Sequence, residues 1–329
     1  MFYLLSISLC CAVFFIVLAA SSVLCMWAGR LLRSPASSLA PQTGANLLFT
    51  IRILPVLLAL LATFAFVLPA LLKFEPRSTG ELVGWPLLAF AILGACVLVV
   101  MSFRAATIVR STRRVAANWR RCSAKLPLQD IAIPVYCLDG TSHGSVLAVL
   151  GFFLPRIFVA KQIVDTLTQA ELMAALEHER AHVNSFDNLK QLVLKITHIP
   201  GWLSVSAEAD SAWINASEIA ADEAALASGV SILDLSGALI KVASLSSHAV
   251  VGETVAASHL VPLGPGSSLQ ARVDHLKKIL EGNDPALRAA PRNHMKNIVA
   301  PLALAVIGYA TCVSTVLPLV HDALEALVR

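Results

Sequence analysis

The pentapeptide His178-Glu179-Arg180-Ala181-His182 is the most informative stretch of the chain. On an α-helix its two histidines lie one turn apart on the same face, so two neutral imidazoles can reach one Zn²⁺ ion. Glu179 is displaced by about 100° around the helix axis, where its carboxylate can contact a metal-bound water without binding the metal. The alternative is a surface helix with two solvated histidines. A third metal ligand elsewhere in the chain would favour the metal site.

Glu218 is the best candidate for that third ligand. It lies on a second predicted helix, 36 residues beyond His182, with Asp222 one turn later on the same face. A His-His-Glu set leaves the fourth position open for water, which is the pattern of catalytic zinc sites. Asp222 can accept a hydrogen bond from a ligating histidine and fix its tautomer. An ordinary solvated helix face is the alternative for both acids, and Glu223 and Glu208 are weaker substitutes for the ligand.

The composition places the chain in a membrane. Hydrophobic residues make up 57% of it and charged residues 14%, with a mean hydropathy of +0.74, which exceeds what a soluble globular protein carries. Four windows without charged side chains are long enough to cross about 30 Å of hydrocarbon as helices. They are residues 2–29, 53–72, 82–103 and 298–320. The first window has no basic residue before its apolar run, which favours a retained anchor over a cleaved signal peptide.

The basic residues predict the orientation of these helices. Residues 30–52 hold three arginines and no acid, and residues 104–125 hold seven basic residues and no acid. Basic flanks face the cytosol, so residues 104–297 are predicted to form a cytosolic domain and residues 321–329 a short external tail. The net charge of +4 is thereby explained as a topology signal, and no direct binding of nucleic acid is expected.

The domain between the third and fourth windows is predicted to be α+β. Residues 104–125 should continue the third membrane helix, and three β-branched runs bounded by Gly and Pro predict a small sheet at 131–138, 145–153 and 156–160. Thr168 and Glu171 form a capping-box pair that predicts the start of the helix carrying His178 and His182. Further helices are predicted at 188–196, 204–228, 234–247 and 269–280, with a long loop at 248–268.

Other zinc sites are less compatible with the sequence. A metzincin would carry a histidine where this chain has Asn188. Intramembrane zinc proteases bury the motif in an apolar helix, whereas charged residues surround it here. The seven cysteines show no CxxC spacing, so neither a thiolate metal site nor a disulfide framework is expected. The site is therefore predicted to lie in a soluble domain close to the bilayer.

Several motifs together resemble the membrane metallopeptidases of the BlaR/MecR type, the bacterial beta-lactam signal transducers. They are the run 178–182 followed by Asp187-Asn188-Leu189, the run Ser217-Glu218-Ile-Ala-Ala-Asp222-Glu223-Ala224, and the upstream Gly151-Phe-Phe-Leu-Pro155-Arg-Ile-Phe158. Three membrane helices before the zinc domain and one after it are also similar. The resemblance covers most of the chain.

The resemblance implies an α-helical membrane protein of the bacterial inner membrane, with four transmembrane helices. A cytosolic, gluzincin-like zinc metallopeptidase domain would lie between helices three and four and cleave a protein such as a transcriptional repressor. In that family a penicillin-binding sensor follows the fourth helix, and this sequence ends at Arg329, so the sensor is expected to be missing. Arg272 lies in a stretch that resembles one in the family and is expected to form a structural salt bridge.

The mechanism implied is hydrolysis by a zinc-activated water, with Glu179 taking the proton and passing it to the leaving amine. The substrate is expected to lie extended beside an edge strand of the sheet in residues 131–160. Two alternatives stay open, a quality-control protease similar to HtpX and a signalling scaffold that keeps the zinc fold without hydrolysis. Association between copies of the chain also stays open.

Overall fold

Three long apolar helices form the first part of the chain. They are α1 (Phe2–Ser37), α2 (Pro41–Leu61), which continues through a π-helical turn (Ala62–Val67) into α3 (Leu68–Phe74), and α4 (Trp85–Arg121). This computed structural model describes residues 2–37, 39–74, 84–128, 131–139, 146–198, 207–247, 267–282, 309 and 315–324. Three stretches within these helices are long and apolar enough to cross a membrane, Tyr3–Trp27, Pro41–Phe74 and Trp85–Arg121. They overlap the first three predicted windows.

The fourth predicted window, 298–320, lies mostly outside the described residues. A short apolar helix, Thr315–Leu324, begins inside this window. Tyr309 also falls in it, and its hydroxyl donates to the carbonyl oxygen of Ala65, in the π-helical turn, at 2.7 Å.

Helix α1 packs against both α2 and α4. Phe14 and Leu18 are buried on the side towards α2, where they join Val56 and Ala59. A Cβ atom at Gly94 of α4 would collide with the backbone carbonyl oxygen of Cys11 in α1. Small residues at such crossings let two backbones approach closely, and this packing drives helix association in lipid.

A four-stranded sheet follows α4. Its strands are β1 (Ser123–Leu126), β2 (Val135–Leu138), β3 (Leu147–Leu150) and β4 (Arg156–Ala160), in the order β1-β2-β4-β3. Strands β2 and β4 are parallel and the other pairs antiparallel. The described part of the sheet therefore ends in β1 on one side and β3 on the other.

The predicted continuation of the third membrane helix to residue 125 is wrong in its last turn. Helix α4 ends at Arg121, and Ser123–Leu126 pairs with β2 instead. Arg120 and Arg121 suit a helix C-terminus because cations there oppose the negative end of the helix dipole. The sequence Ser-Ala-Lys-Leu contains no β-branched or aromatic residue, so its composition does not predict a strand. The extended conformation of these residues follows from their pairing with β2.

Between the sheet and residue 282, the described residues form six helices. They are α5 (Lys161–Thr166), α6 (Gln169–Asn184), α7 (Asp187–Ile196), α8 (Ala207–Ala227), α9 (Ile232–Ser247) and α10 (Ser267–Leu280). The last four agree with the predicted helices to within a few residues. Leu176 of α6 is fully buried with Ile157 of β4 and Ile163 of α5 in the core beneath the sheet. The predicted loop 248–268 lies almost wholly outside the described residues.

The predicted capping box is present and also joins two helices. The Thr168 hydroxyl accepts from the Glu171 amide at 3.2 Å, and the Glu171 carboxylate accepts from the Thr168 amide at 2.8 Å. Lys241 of α9 donates to the same carboxylate at 2.7 Å. The hydrogen bond from Lys241, followed by the one from the Thr168 backbone, lowers the pKa of Glu171 below its usual value of 4.5. Glu171 thus fixes both the start of α6 and its position against α9.

Glu171→Ala is expected to destabilise the chain by about 1–3 kcal/mol, since it removes a cap and a hydrogen bond to a charged group. Because the folded-state pKa is lowered, this contribution is present above about pH 4.5 and is lost as the pH falls through the lower folded value. The difference in melting temperature between wild type and variant in detergent should therefore be full at about pH 7 and narrower at about pH 3, because the loss begins only below about pH 4.5. Glu281→Ala, at a half-exposed acid after α10, is the control, and an equal gap at both pH values would contradict the prediction.

Candidate metal centre

The structure brings His178, His182 and Glu218 together from α6 and α8. The two histidine Nε2 atoms lie 3.2 Å apart. The Glu218 carboxylate lies 3.5 Å from His178 Nε2 through Oε2 and 3.6 Å from His182 Nε2 through Oε1. Ligand atoms bound tetrahedrally at about 2.0–2.1 Å from zinc lie about 3.3–3.4 Å from each other. The three separations, measured to one or the other oxygen of Glu218, are therefore close to those that zinc requires, and we call these three residues the donor triangle.

The outer nitrogen of each histidine faces a carboxylate. Asp222 Oδ1 lies 2.9 Å from His178 Nδ1, and Asp187 Oδ2 lies 2.8 Å from His182 Nδ1. A proton on each Nδ1 would be donated to these oxygens and leave the Nε2 lone pairs directed at the centre of the triangle. Asp222 lies where the sequence predicted it. The role of Asp187 was missed.

The position of Asp187 depends on a turn that the sequence does not signal. Phe186 follows the end of α6 with φ 57° and ψ 32°, in the left-handed region that costs a bulky residue about 1–3 kcal/mol. This turn starts α7 at Asp187 and returns its side chain to His182. Lys190, one turn along α7, also lies 3.4 Å from the Asp187 carboxylate.

Asn188 holds the edge strand beside the site. Its amide nitrogen donates to the carbonyl oxygen of Val149 at 3.1 Å and to that of Gly151 at 3.3 Å. Gly151 has φ 110°, and a Cβ there would collide with the carbonyl oxygen of Leu154, so the end of β3 requires glycine. These contacts fix β3 against α7.

Arg272 of α10 enters the same cluster. Its Nε and Nη2 donate to the two oxygens of Asp222 at 2.8 and 2.6 Å, and its Nη1 donates to Glu218 Oε2 at 2.9 Å. The expected salt bridge is therefore present, but it lies inside the candidate site. Glu223, the weaker substitute ligand, instead lies 3.1 Å from His275 Nε2. The side chain of Glu208 is outside the described part of the chain.

Burial and the charges around the site shift the pKa values of its carboxylates in different directions. Burial would raise the pKa of Glu218, but the hydrogen bond with His178 and the nearby positive charges lower it to about 2. Burial also opposes ionisation of Asp222, yet Arg272 and the His178 hydrogen bond hold its pKa well below the usual value. Burial raises the pKa of Glu179, against the charges of the two histidines. Glu179 is thus shifted towards the range in which a carboxylate exchanges protons near neutral pH.

A cleft of about 180 Å³ opens onto these residues. Its polar wall holds the donor triangle together with Glu179, Asp187, Asn188 and Arg272. The rest of its lining is mostly apolar and includes part of β3. The apolar lining residues are Leu147, Ala148, Val149, Ala175, Trp213, Ile214, Leu235, Ala238, Leu239 and Val242.

The first half of α2 packs against the helix that carries Glu218. Arg52, which is 3% exposed, donates through Nε to Asp210 of α8 at 2.8 Å. Trp213, one turn further along α8, packs on Ala45 and Phe49 of α2 and also lines the cleft. A membrane helix therefore contacts the wall of the candidate site, a contact that the sequence did not predict.

The fold and the site define a membrane-associated peptidase with a candidate metal centre. Residues 81–273, more than half of the chain, match the family model described as BlaR1 peptidase M56, and the chain belongs to this family. The resemblance to the BlaR/MecR type is thus confirmed at the level of the family. No curated protein and no solved structure matches the chain.

Proposed function

We propose that the chain is a zinc endopeptidase of the bacterial inner membrane that cleaves a cytosolic or membrane-proximal protein. The observation that carries the proposal is the donor triangle of His178, His182 and Glu218, with Glu179 beside it in the cleft. The six arginines and one lysine of residues 104–125 support a cytosolic position for the domain that follows them. The bilayer and the protein substrate are the partners proposed.

Two imidazole nitrogens and one carboxylate are ligands typical of a catalytic zinc ion. His178, His182 and Glu218 would hold the ion here. When bound, the ion supplies Lewis acidity and lowers the pKa of water at the open position. The Glu179 carboxylate accepts the proton of the attacking water and delivers it to the leaving amine nitrogen. Asp222 and Asp187 keep the two imidazoles in the orientation that the triangle requires.

Strand β3 is the proposed docking edge for the substrate backbone. It pairs with β4 on one side and lines the cleft on the other. Alternate residues of a strand direct their N–H and C=O groups to the same edge, and Asn188 already takes the outward carbonyls of Val149 and Gly151. The Leu147 end of the edge is therefore where an extended peptide would pair.

The apolar wall supports a preference for an apolar substrate side chain. Leu235, Leu239 and Val242 of α9 line the same cleft as the three candidate ligands, together with Ala175 of α6. Such a pocket stabilises an apolar group by removing it from water, and it offers no partner for a charged one. Cleavage is expected beside an aliphatic or aromatic residue. A transcriptional repressor is the substrate that the resemblance favours.

Zinc content and activity of the purified full-length chain in detergent test the proposal. One zinc per chain is expected, with cleavage of casein or of the chain itself lost on chelation and restored by zinc. His178→Ala should lose the metal, and His321→Ala, which removes a histidine outside this domain, should keep it. A wild-type chain that binds no zinc, or that cleaves equally well without it, would overturn the proposal.

A further inference from the structure

The Arg272 guanidinium is placed to control which oxygen of Glu218 reaches the metal. Both oxygens lie near a donor nitrogen, Oε2 at 3.5 Å from His178 Nε2 and Oε1 at 3.6 Å from His182 Nε2. Arg272 donates to Oε2 through Nη1 at 2.9 Å, which leaves Oε1 as the oxygen that is not engaged by the guanidinium. All three guanidinium nitrogens donate to carboxylates, because Nε and Nη2 donate to the two oxygens of Asp222. The side chain is 12% exposed, so these contacts are shielded from water.

The two carboxylates need such a cation. Glu218 and Asp222 lie one turn apart on α8 and are 7% and 0% exposed. Two buried carboxylates at this spacing repel each other, and each lacks hydration, so an unopposed pair would move apart or take up protons. Arg272 comes from α10, far along the chain, and opposes both charges at once.

We propose that Arg272 is a positioning residue that presents Glu218 to zinc through one oxygen, leaving the fourth coordination position open for water. This inference rests on the zinc peptidase function proposed above. With Oε2 held, the ligand set is two nitrogens and one oxygen, the arrangement of an open tetrahedral site. Without Arg272 both oxygens of Glu218 are released, and binding through both of them beside the water would make the site five-coordinate.

A lysine cannot reproduce this arrangement. The guanidinium is a planar fork whose N–H groups fit two carboxylates at fixed angles, whereas an ammonium group is a single compact charge. Arg272→Lys therefore keeps the charge and loses the geometry, and Arg272→Gln loses both. Lys277→Gln is a matched control on the same helix, because Lys277 is 70% exposed and its ion pair with Glu281 spans 3.9 Å.

The test uses the full-length chain in detergent and two readouts that do not depend on turnover. Zinc affinity is measured by competition with a chromophoric chelator, and the visible spectrum is recorded after loading with Co²⁺, whose absorption is strongest when four-coordinate. Both Arg272 variants are expected to bind zinc about 10- to 100-fold more weakly, the effect typical of residues that orient metal ligands. Their Co²⁺ bands should weaken as the coordination number rises. Lys277→Gln should match wild type in both.

Three results would overturn the inference. The first is that both Arg272 variants keep the zinc affinity and the Co²⁺ spectrum of the wild type. The second is that they bind zinc more tightly, which would mean that Arg272 competes with the metal. The third is that both variants fail to fold with zinc present, which would make Arg272 a requirement of the fold. A wild-type chain that binds no zinc would count against the proposed function itself. If the wild-type chain binds zinc and the Arg272 variants match it in affinity and spectrum, only the positioning role of Arg272 is contradicted.

Discussion

Glu179→Gln should lower peptide-bond cleavage by about 10²- to 10⁴-fold, the contribution typical of a general base. The amide has nearly the shape of the carboxylate but cannot accept the proton of the attacking water. Zinc should stay bound at one ion per chain, because the donor triangle of His178, His182 and Glu218 does not include Glu179. Cleavage rate and zinc content, measured on the same preparation, check both halves of the prediction.

Glu177→Gln is the matched control for this variant. It makes the same change two residues earlier on α6, where Glu177 pairs with Arg180 and does not line the cleft. Full activity of Glu179→Gln would contradict the assignment of the base. The same variant can identify the substrate, since a single protein that accumulates in cells indicates regulatory cleavage and many such proteins indicate quality control.

Asp210→Ala should destabilise the chain by about 3–5 kcal/mol, the usual cost of leaving a buried charge without its partner. The Arg52 side chain is 4% exposed, and its Nη2 has no hydrogen-bond partner among the described residues, so the ion pair with Asp210 is its main compensation. Asp210 is 23% exposed, which favours the lower end of the range. The melting temperature of the variant in detergent gives the measurement.

A double variant tests the reason for that loss. Arg52→Leu combined with Asp210→Leu removes both charges and should recover most of the stability, because apolar residues often replace a buried ion pair at little cost. Asp165→Ala, which breaks a surface pair with Lys161 at 3.6 Å, should cost no more than about 1 kcal/mol. If Asp210→Ala has the same melting temperature as the wild type, the ion pair does not stabilise the contact between α2 and α8.

The residues of the candidate metal centre could be predicted because each depends on local spacing. His178, Glu179 and His182 follow from one helical turn, and Glu218 and Asp222 follow from another. The sequence predicted that the two helices meet at one metal, and the structure places the donor atoms together. Their chemical roles stay predictions until zinc is measured.

The residues that the sequence missed depend on contacts distant in the chain. Asp187 reaches His182 only because Phe186 adopts a left-handed conformation. Strand β1 forms because β2 is available to pair with it. The sequence analysis interpreted Arg52 only as a topology signal, although its side chain pairs with Asp210, 158 positions later in the chain. Spacing within one helix or strand does not encode such contacts.

The packing of Trp213 against α2 limits which fragments of this protein can be expressed in soluble form. A fragment cut to residues 104–297 would keep every candidate ligand but would remove Ala45 and Phe49, leaving a large aromatic face open to solvent. Such a fragment is expected to aggregate when expressed alone. A soluble version would need either the first turns of α2 fused back onto α8 or a polar redesign of the surface that they cover.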